Sequence, residues 1–211
     1  MNRRLLLALL ALVLLLAGCS SSGKPKPKGS DLIGQNQVGP YRGAGLQPPQ
    51  PRPSFTLTDT AGKPFAFGTV TAKHPTFLYF GYTNCPDVCP TTMADIAHAL
   101  AKVPASVARD TYVVFVTTDV KHDTSAVIKQ WLANFATGSR GHWVGLRGTQ
   151  AQIDAAQAAA HVTLATDGGA THSASTLLYG PDDYARVLFL ATDSETAQMT
   201  HDLPIVAKQR G

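Results

Sequence analysis

Apolar and polar positions divide the 211-residue chain into three stretches of different character. Residues 5–17 are apolar without interruption and follow Met1-Asn2-Arg3-Arg4. Residues 20–53 are rich in Ser, Gly, Lys and Pro and show no period. From residue 54 onward, short β-branched and aromatic runs alternate with helical patterns. Residues 55–58 and 65–67 flank Thr60-Ala61-Gly62-Lys63-Pro64 and predict a short N-terminal hairpin. An apolar strand is predicted over 76–82, then a helix over 91–100. A second strand, over 111–117, reads Thr-Tyr-Val-Val-Phe-Val-Thr, the composition of a strand covered on both faces. Asp123 or Thr124 can cap a helix running to about Phe135; a weaker strand follows over 143–146 and an Ala-rich helix over 149–160. Residues 175–179 and 186–190 flank Gly180-Pro181-Asp182-Asp183 and predict an antiparallel hairpin. A last helix is predicted from Thr192, which has capping-box spacing to Glu195, with Pro204 expected to kink or restart it.

This strand–helix–strand–helix order, closed by a hairpin and a helix, is the thioredoxin-like order. The expected fold is therefore α/β, a mixed central sheet flanked by helices with an N-terminal hairpin, as one domain over 54–211.

The first two stretches read as an address and a spacer. Arg3 and Arg4 before a short apolar run make a signal peptide over 1–18, too short for a confident membrane span. Leu16-Ala17-Gly18-Cys19 resembles a bacterial lipobox, which implies cleavage before Cys19 and lipidation of its sulfur; the plainer alternative is an ordinary signal peptide. Residues 19–53 then read as a lipid-anchored flexible tether, and the globular part as lying on the extracytoplasmic side of the cell membrane, where disulfides persist. Lys24, Lys26 and Lys28 can also touch anionic headgroups. Charge supports this division. The chain carries a formal net charge of +4, but from residue 50 onward twelve basic side chains face thirteen acidic ones. The folded part has no basic footprint for phosphate, which argues against nucleic acid as a partner.

Candidate chemistry centres on Cys85 and Cys89, the only thiols besides Cys19. They stand where the strand over 76–82 gives way to a helix, close to a helix N-terminus that favours thiolate. Such a pair can hold a soft metal or cycle through a disulfide. Thioredoxin-type enzymes use Cys-x-x-Cys, whereas three residues separate Cys85 from Cys89. No proline occurs between Pro104 and Pro181, so the cis-proline that such enzymes carry before the last hairpin is missing. His172 stands at about that place. Two thiolates and one imidazole suit Cu(I) and can keep Cu(II), while zinc usually takes a fourth ligand. His74, His98, His122, His142, His161 and His201 read as surface or hydrogen-bonded histidines.

Several segments together carry a family resemblance: Phe80-Gly81-Tyr82-Thr83, Cys85-Pro86-Asp87-Val88-Cys89-Pro90, Thr117-Thr118-Asp119, Asp123-Thr124, the run over 144–149, Thr171-His172-Ser173 and Tyr179-Gly180-Pro181-Asp182. The set resembles the Sco/SenC copper-chaperone family from about residue 54 to the end. That resemblance implies copper, as Cu(I) and Cu(II), held by Cys85, Cys89 and His172, with Asp119 only a supporting group. It implies delivery to the CuA-bearing subunit of cytochrome c oxidase, with other copper chaperones as further partners. The rival enzymatic reading makes Cys85 and Cys89 the redox-active pair of a thiol–disulfide reductase that maintains the oxidase subunit's cysteines. A peroxiredoxin-like peroxidase is weaker, since Leu78 and Tyr82 stand where its Pro and Thr/Ser would precede Cys85.

Overall fold

Residues Thr76–Gly81 form a strand, β4, whose six side-chain positions are all buried, which requires cover on both faces and a neighbour along both edges. The computed structural model describes residues 38–164, 174–191 and 195–210. Around β4 it has β1 (Ala44–Pro51), β2 (Thr56–Asp59), β3 (Pro64–Ala66), β5 (Tyr112–Thr117), β6 (His142–Arg147), β7 (Ser175–Tyr179) and β8 (Tyr184–Leu190). The described helices are α1 (Phe67–Val70), α2 (Val88–Lys102), α3 (Ala105–Asp110), α4 (Ser125–Ala136), α5 (Gln150–Ala159) and α6 (Glu195–Val206). One mixed sheet runs β1-β8-β7-β4-β5-β6-β2-β3. Strands β4, β5 and β6 are parallel, and β7 joins β4 antiparallel in the register Tyr79↔Thr176.

Period-two alternation along β4 feeds two cores. Phe77 and Tyr79 join Met93, Ile96 and Leu100 of α2, Ile128 of α4, and Met199 and Leu203 of α6. Leu78 and Phe80 enter the opposite core with Leu57, Phe67, Val114, Ile153 and Tyr179. Each such side chain contributes roughly 1.5–3 kcal/mol when fully buried. The sheet with helices on both faces is the thioredoxin-like architecture expected from the pattern.

Most predicted elements stand within a residue or two of their expected places, and the differences have physical causes. The spacer expected through residue 53 is folded from residue 44, because β1 pairs with β8 in the register Gly45↔Val187 and Gln50↔Ala185. Its prolines concealed it. Proline lacks an N–H and is confined to edge strands and bulges, and β1 is an edge strand whose register shifts between Gly45 and Gln50, around Pro48 and Pro49. Helix α2 begins at Val88, ahead of the expected Thr91, so Cys89 lies inside its first turn. Phe67, expected to end a strand, opens α1 instead, and neither α1 nor α3 was anticipated. Helix α6 runs on through Pro204 to Val206 without restarting. Leu203 and Val206 remain fully buried, and that packing holds the last turn in place. The cap expected at Thr192 lies outside the described residues.

Two buried charges fasten the N-terminal segment. The Asp202 carboxylate, fully buried on α6, accepts the backbone N–H groups of Arg42 and Gly43, each with a bond of 2.8 Å. The Arg52 side chain, 2% exposed, donates to Asp183, Thr71, Thr76 and the carbonyls of His74 and Gly180 at 2.8–3.0 Å. Its guanidinium also lies 5.1 Å from the Tyr179 ring centroid. Arg52→Met keeps the stem but strands these acceptors. It should lower unfolding stability by about 2–4 kcal/mol in urea titration, whereas a residue in a free spacer would show no change.

Candidate functional site

At the C-terminal end of β4 the chain leaves the sheet, turns through residues 82–87, and enters α2. The Cys85 N–H donates to the Tyr82 carbonyl at 3.4 Å and closes the turn. The Cys89 N–H in turn donates to Cys85 Sγ at 3.4 Å, so the first sulfur takes one of the free donors at the start of α2. Pro90 falls in the first helical turn, where a missing N–H costs nothing. Thr91 returns a hydroxyl bond to the Asp87 carbonyl at 2.8 Å. Both cysteines are thiols, and neither is in a disulfide.

The two sulfurs differ sharply in environment. Cys89 is fully buried, and desolvation of its charged form pushes the thiol up to about 12. Tyr79, also fully buried, donates its hydroxyl to Cys89 Sγ at 3.5 Å. Cys85 is half-buried. Burial alone would raise its thiol, but the N–H groups of Asp87 and Cys89, the Cys89 thiol and the Tyr82 hydroxyl stabilise the thiolate and bring it below the ordinary value. Burial and the neighbouring Cys85 thiolate raise the Tyr82 phenol.

Gly81 makes room for this packing. A β-carbon there would lie 2.6 Å from Tyr79 Cε1 and 2.9 Å from Cys89 Sγ, closer than such contacts occur. The loop is anchored from beneath by Asp123, which is 1% exposed. Its carboxylate accepts the Thr83 N–H at 3.0 Å, the Thr83 hydroxyl at 2.5 Å and the Thr117 hydroxyl at 2.6 Å. The Thr118 N–H donates to the Gly81 carbonyl at 2.7 Å, tying the ends of β4 and β5 together. Asp123 and Thr124 were alternative caps for one helix. In the structure Thr124 accepts from the Val127 N–H as the cap, and Asp123 organises the dithiol loop, a role that only its burial discloses.

Asp119 accepts both the backbone N–H and the Nδ1 of His122, with ring contacts of 2.8 and 2.9 Å. His74 contacts Asp110 at 2.6 Å and His201 contacts Asp202 at 2.7 Å, while His142 stacks on Tyr112. His98 and His161 are exposed. These six histidines thus have the surface or hydrogen-bonded character expected of them. His172 and Cys19 lie outside the described residues. Among the described residues no group of three or more His, Cys, Asp or Glu could hold a metal ion, so the described part of the site supplies two sulfur donors.

A reduced dithiol on the strand-to-helix turn of a mixed sheet, one sulfur buried and one accessible, defines a thioredoxin-like dithiol protein. The family model described as SCO1/SenC matches residues 44–207, and the chain belongs to that family. Among curated relatives it is similar to the protein SenC of Rhodobacter capsulatus, with 33% identity over 150 residues, 71% of this chain and 63% of the relative. The chain spans less than two thirds of the length of the curated relatives it matches. Among solved structures it resembles apo Sco1 of Thermus thermophilus, with 26% identity, a TM-score of 0.65 and coverage of 78% of this chain and 96% of that one. It also resembles copper-bound ScoI of Bradyrhizobium japonicum, with 28% identity, a TM-score of 0.58 and coverage of 74% and 98%.

Alkylation of reduced, metal-free protein should be ordered by these environments. Iodoacetamide modification of Cys85 should rise at pH values below the ordinary thiol range, while Cys89 stays unmodified near neutrality and reacts only as pH approaches its value of about 12, mapped by mass spectrometry. Gly81→Ala should cost about 1–3 kcal/mol in urea unfolding, because either the Tyr79 ring or the Cys89 sulfur must move.

Proposed function

We propose that the protein is a copper metallochaperone of cytochrome c oxidase assembly, with copper as its cargo. The observation that carries the proposal is the reduced Cys85–Cys89 dithiol at the start of α2 in a chain of the SCO1/SenC family. The copper bound by the related ScoI supports it. Soft thiolates select Cu(I), and an imidazole nitrogen added to them keeps Cu(II). His172 is the proposed third ligand. It precedes strand β7 by three residues, and Thr176 of β7 is paired with Tyr79 of β4, the strand that delivers the dithiol loop. A ligand from a separate segment can be released without unfolding the cysteine turn, which suits a carrier that must give its metal up. The proposed acceptor is the CuA-bearing oxidase subunit, and other copper chaperones are the proposed donors. Lipidation of Cys19 would hold the domain at the extracytoplasmic face of the cell membrane.

A second reading is favoured by the opposite shifts of the two thiols. An accessible, acidified Cys85 beside a buried, protonated Cys89 is the arrangement of an attacking and a resolving thiol. In that reaction Cys85 thiolate opens a partner disulfide to form a mixed disulfide. Cys89 then loses its proton and displaces the partner sulfur, leaving two thiols on the partner and a Cys85–Cys89 disulfide here.

Anaerobic titration of reduced protein with Cu(I) and with Cu(II) separates the two. Cys85→Ala, Cys89→Ala and His172→Ala should each weaken copper binding beyond the roughly 10- to 100-fold that loss of a merely supporting group costs, and wild-type Cu(II) protein should show sulfur-to-copper charge transfer. Tight stoichiometric copper after His172→Ala would remove that residue from the ligand set. Disulfide reduction by metal-free protein, insensitive to His172→Ala, would favour the reductase.

A further inference from the structure

Cys-x3-Cys spacing does not say which sulfur lets go of a bound metal first, but the packing behind the pair does. Cys85 stands on the solvent side of the turn and is held by the turn's own atoms, the N–H groups of Asp87 and Cys89. Cys89 also takes a donor from the turn, the Tyr82 N–H, but in addition it is held by the sheet. Its sulfur is fully buried and sits within hydrogen-bond reach of the Tyr79 hydroxyl, at 3.5 Å. Tyr79 belongs to the middle of β4, in register with Phe115 on one side and Thr176 on the other, and its ring stacks on Phe115 at 6.4 Å. The missing side chain of Gly81, two residues along the same face, leaves the space in which ring edge and sulfur meet. The donor thus comes from one of the most enclosed strands of the fold, while the ligand it contacts comes from a helix.

Resting on the copper reading above, we propose that Tyr79 is a positioning residue: its hydroxyl donates to the Cys89 sulfur and fixes it as the retained ligand, so that exchange with an acceptor begins at Cys85. In that exchange the acceptor's thiol loses its proton as its sulfur bonds to Cu(I). The Cys85–copper bond breaks, the Cys85 sulfur takes up a proton, and copper keeps its oxidation state. The same exchange at Cys89 completes the transfer. A hydrogen bond donated to a thiolate withdraws charge from the sulfur, so its loss raises the donor orbital and lowers the energy of sulfur-to-copper charge transfer.

The test is Tyr79→Phe in the full chain, which keeps the ring and removes the donor. The charge-transfer band of the Cu(II) form should move to lower energy, and release of Cu(I) to dithiothreitol should quicken about five-fold, the size of one ordinary hydrogen bond. In metal-free protein equilibrated with glutathione, the equilibrium between Cys85–Cys89 dithiol and disulfide should move about five-fold toward the disulfide, because reduced Cys89 loses its partner. Fluorotyrosine at position 79, a stronger donor of the same shape, should move the band the opposite way. An unshifted band with unchanged release overturns the assignment, whether or not stability falls. Failure of wild-type protein to bind copper would sink the copper reading instead. The glutathione equilibrium then still decides whether Tyr79 acts on Cys89, and an unchanged value overturns it.

Discussion

Between β5 and β7, strand β4 sends Phe77 and Tyr79 into one core and Leu78 and Phe80 into the other, with hydrogen-bonded neighbours along both edges. A strand enclosed on four sides has almost no freedom left at its end, and that end is Gly81. Everything chemical in the described part of the molecule starts from there: the turn that carries Cys85, the entry of α2 that carries Cys89, and the close approach of Tyr79 to the second sulfur. Interiors packed at crystal density move little, so the dithiol is presented by a rigid base even though it lies on a loop.

Rigidity below and accessibility above give the two cysteines unlike chemistry from like sequence surroundings. The turn supplies Cys85 with N–H donors that stabilise thiolate and outweigh its burial, while at Cys89 the desolvation imposed by the core outweighs the Tyr79 hydroxyl and the Tyr82 N–H that the sulfur accepts. A metal carrier and a disulfide reductase both need such an unequal pair. In either, one sulfur must meet the partner and the other must wait, and the distinction between the two functions falls to whether an imidazole completes the site.

The N-terminal segment extends the same logic to the far side of the sheet. Edge strand β1 has few apolar side chains to bury, so it is fixed by polar means: Asp202 takes the backbone of Arg42 and Gly43, and Arg52 knits the β7–β8 turn to the start of β4. Buried charges with all their partners in place specify position strongly, since any other placement leaves them unsatisfied.

The linear chain determined most of the elements and the two sulfur donors. The β-branched and aromatic run over 111–117 read as a strand covered on both faces and the apolar run over 76–82 as a strand, the helical patterns announced α2, α4 and α5, and two thiols beside a strand end marked the chemistry, because these are local matters of period and residue type. Tertiary structure alone decided what depends on neighbours distant in sequence. It drew residues 44–51 into the sheet despite their prolines, because an edge strand needs N–H groups on one side only. It separated Asp123 from Thr124, sending one carboxylate under the loop and leaving one hydroxyl at a cap. It also made Cys85 and Cys89 unequal, because burial is a property of packing and no spacing of cysteines encodes it.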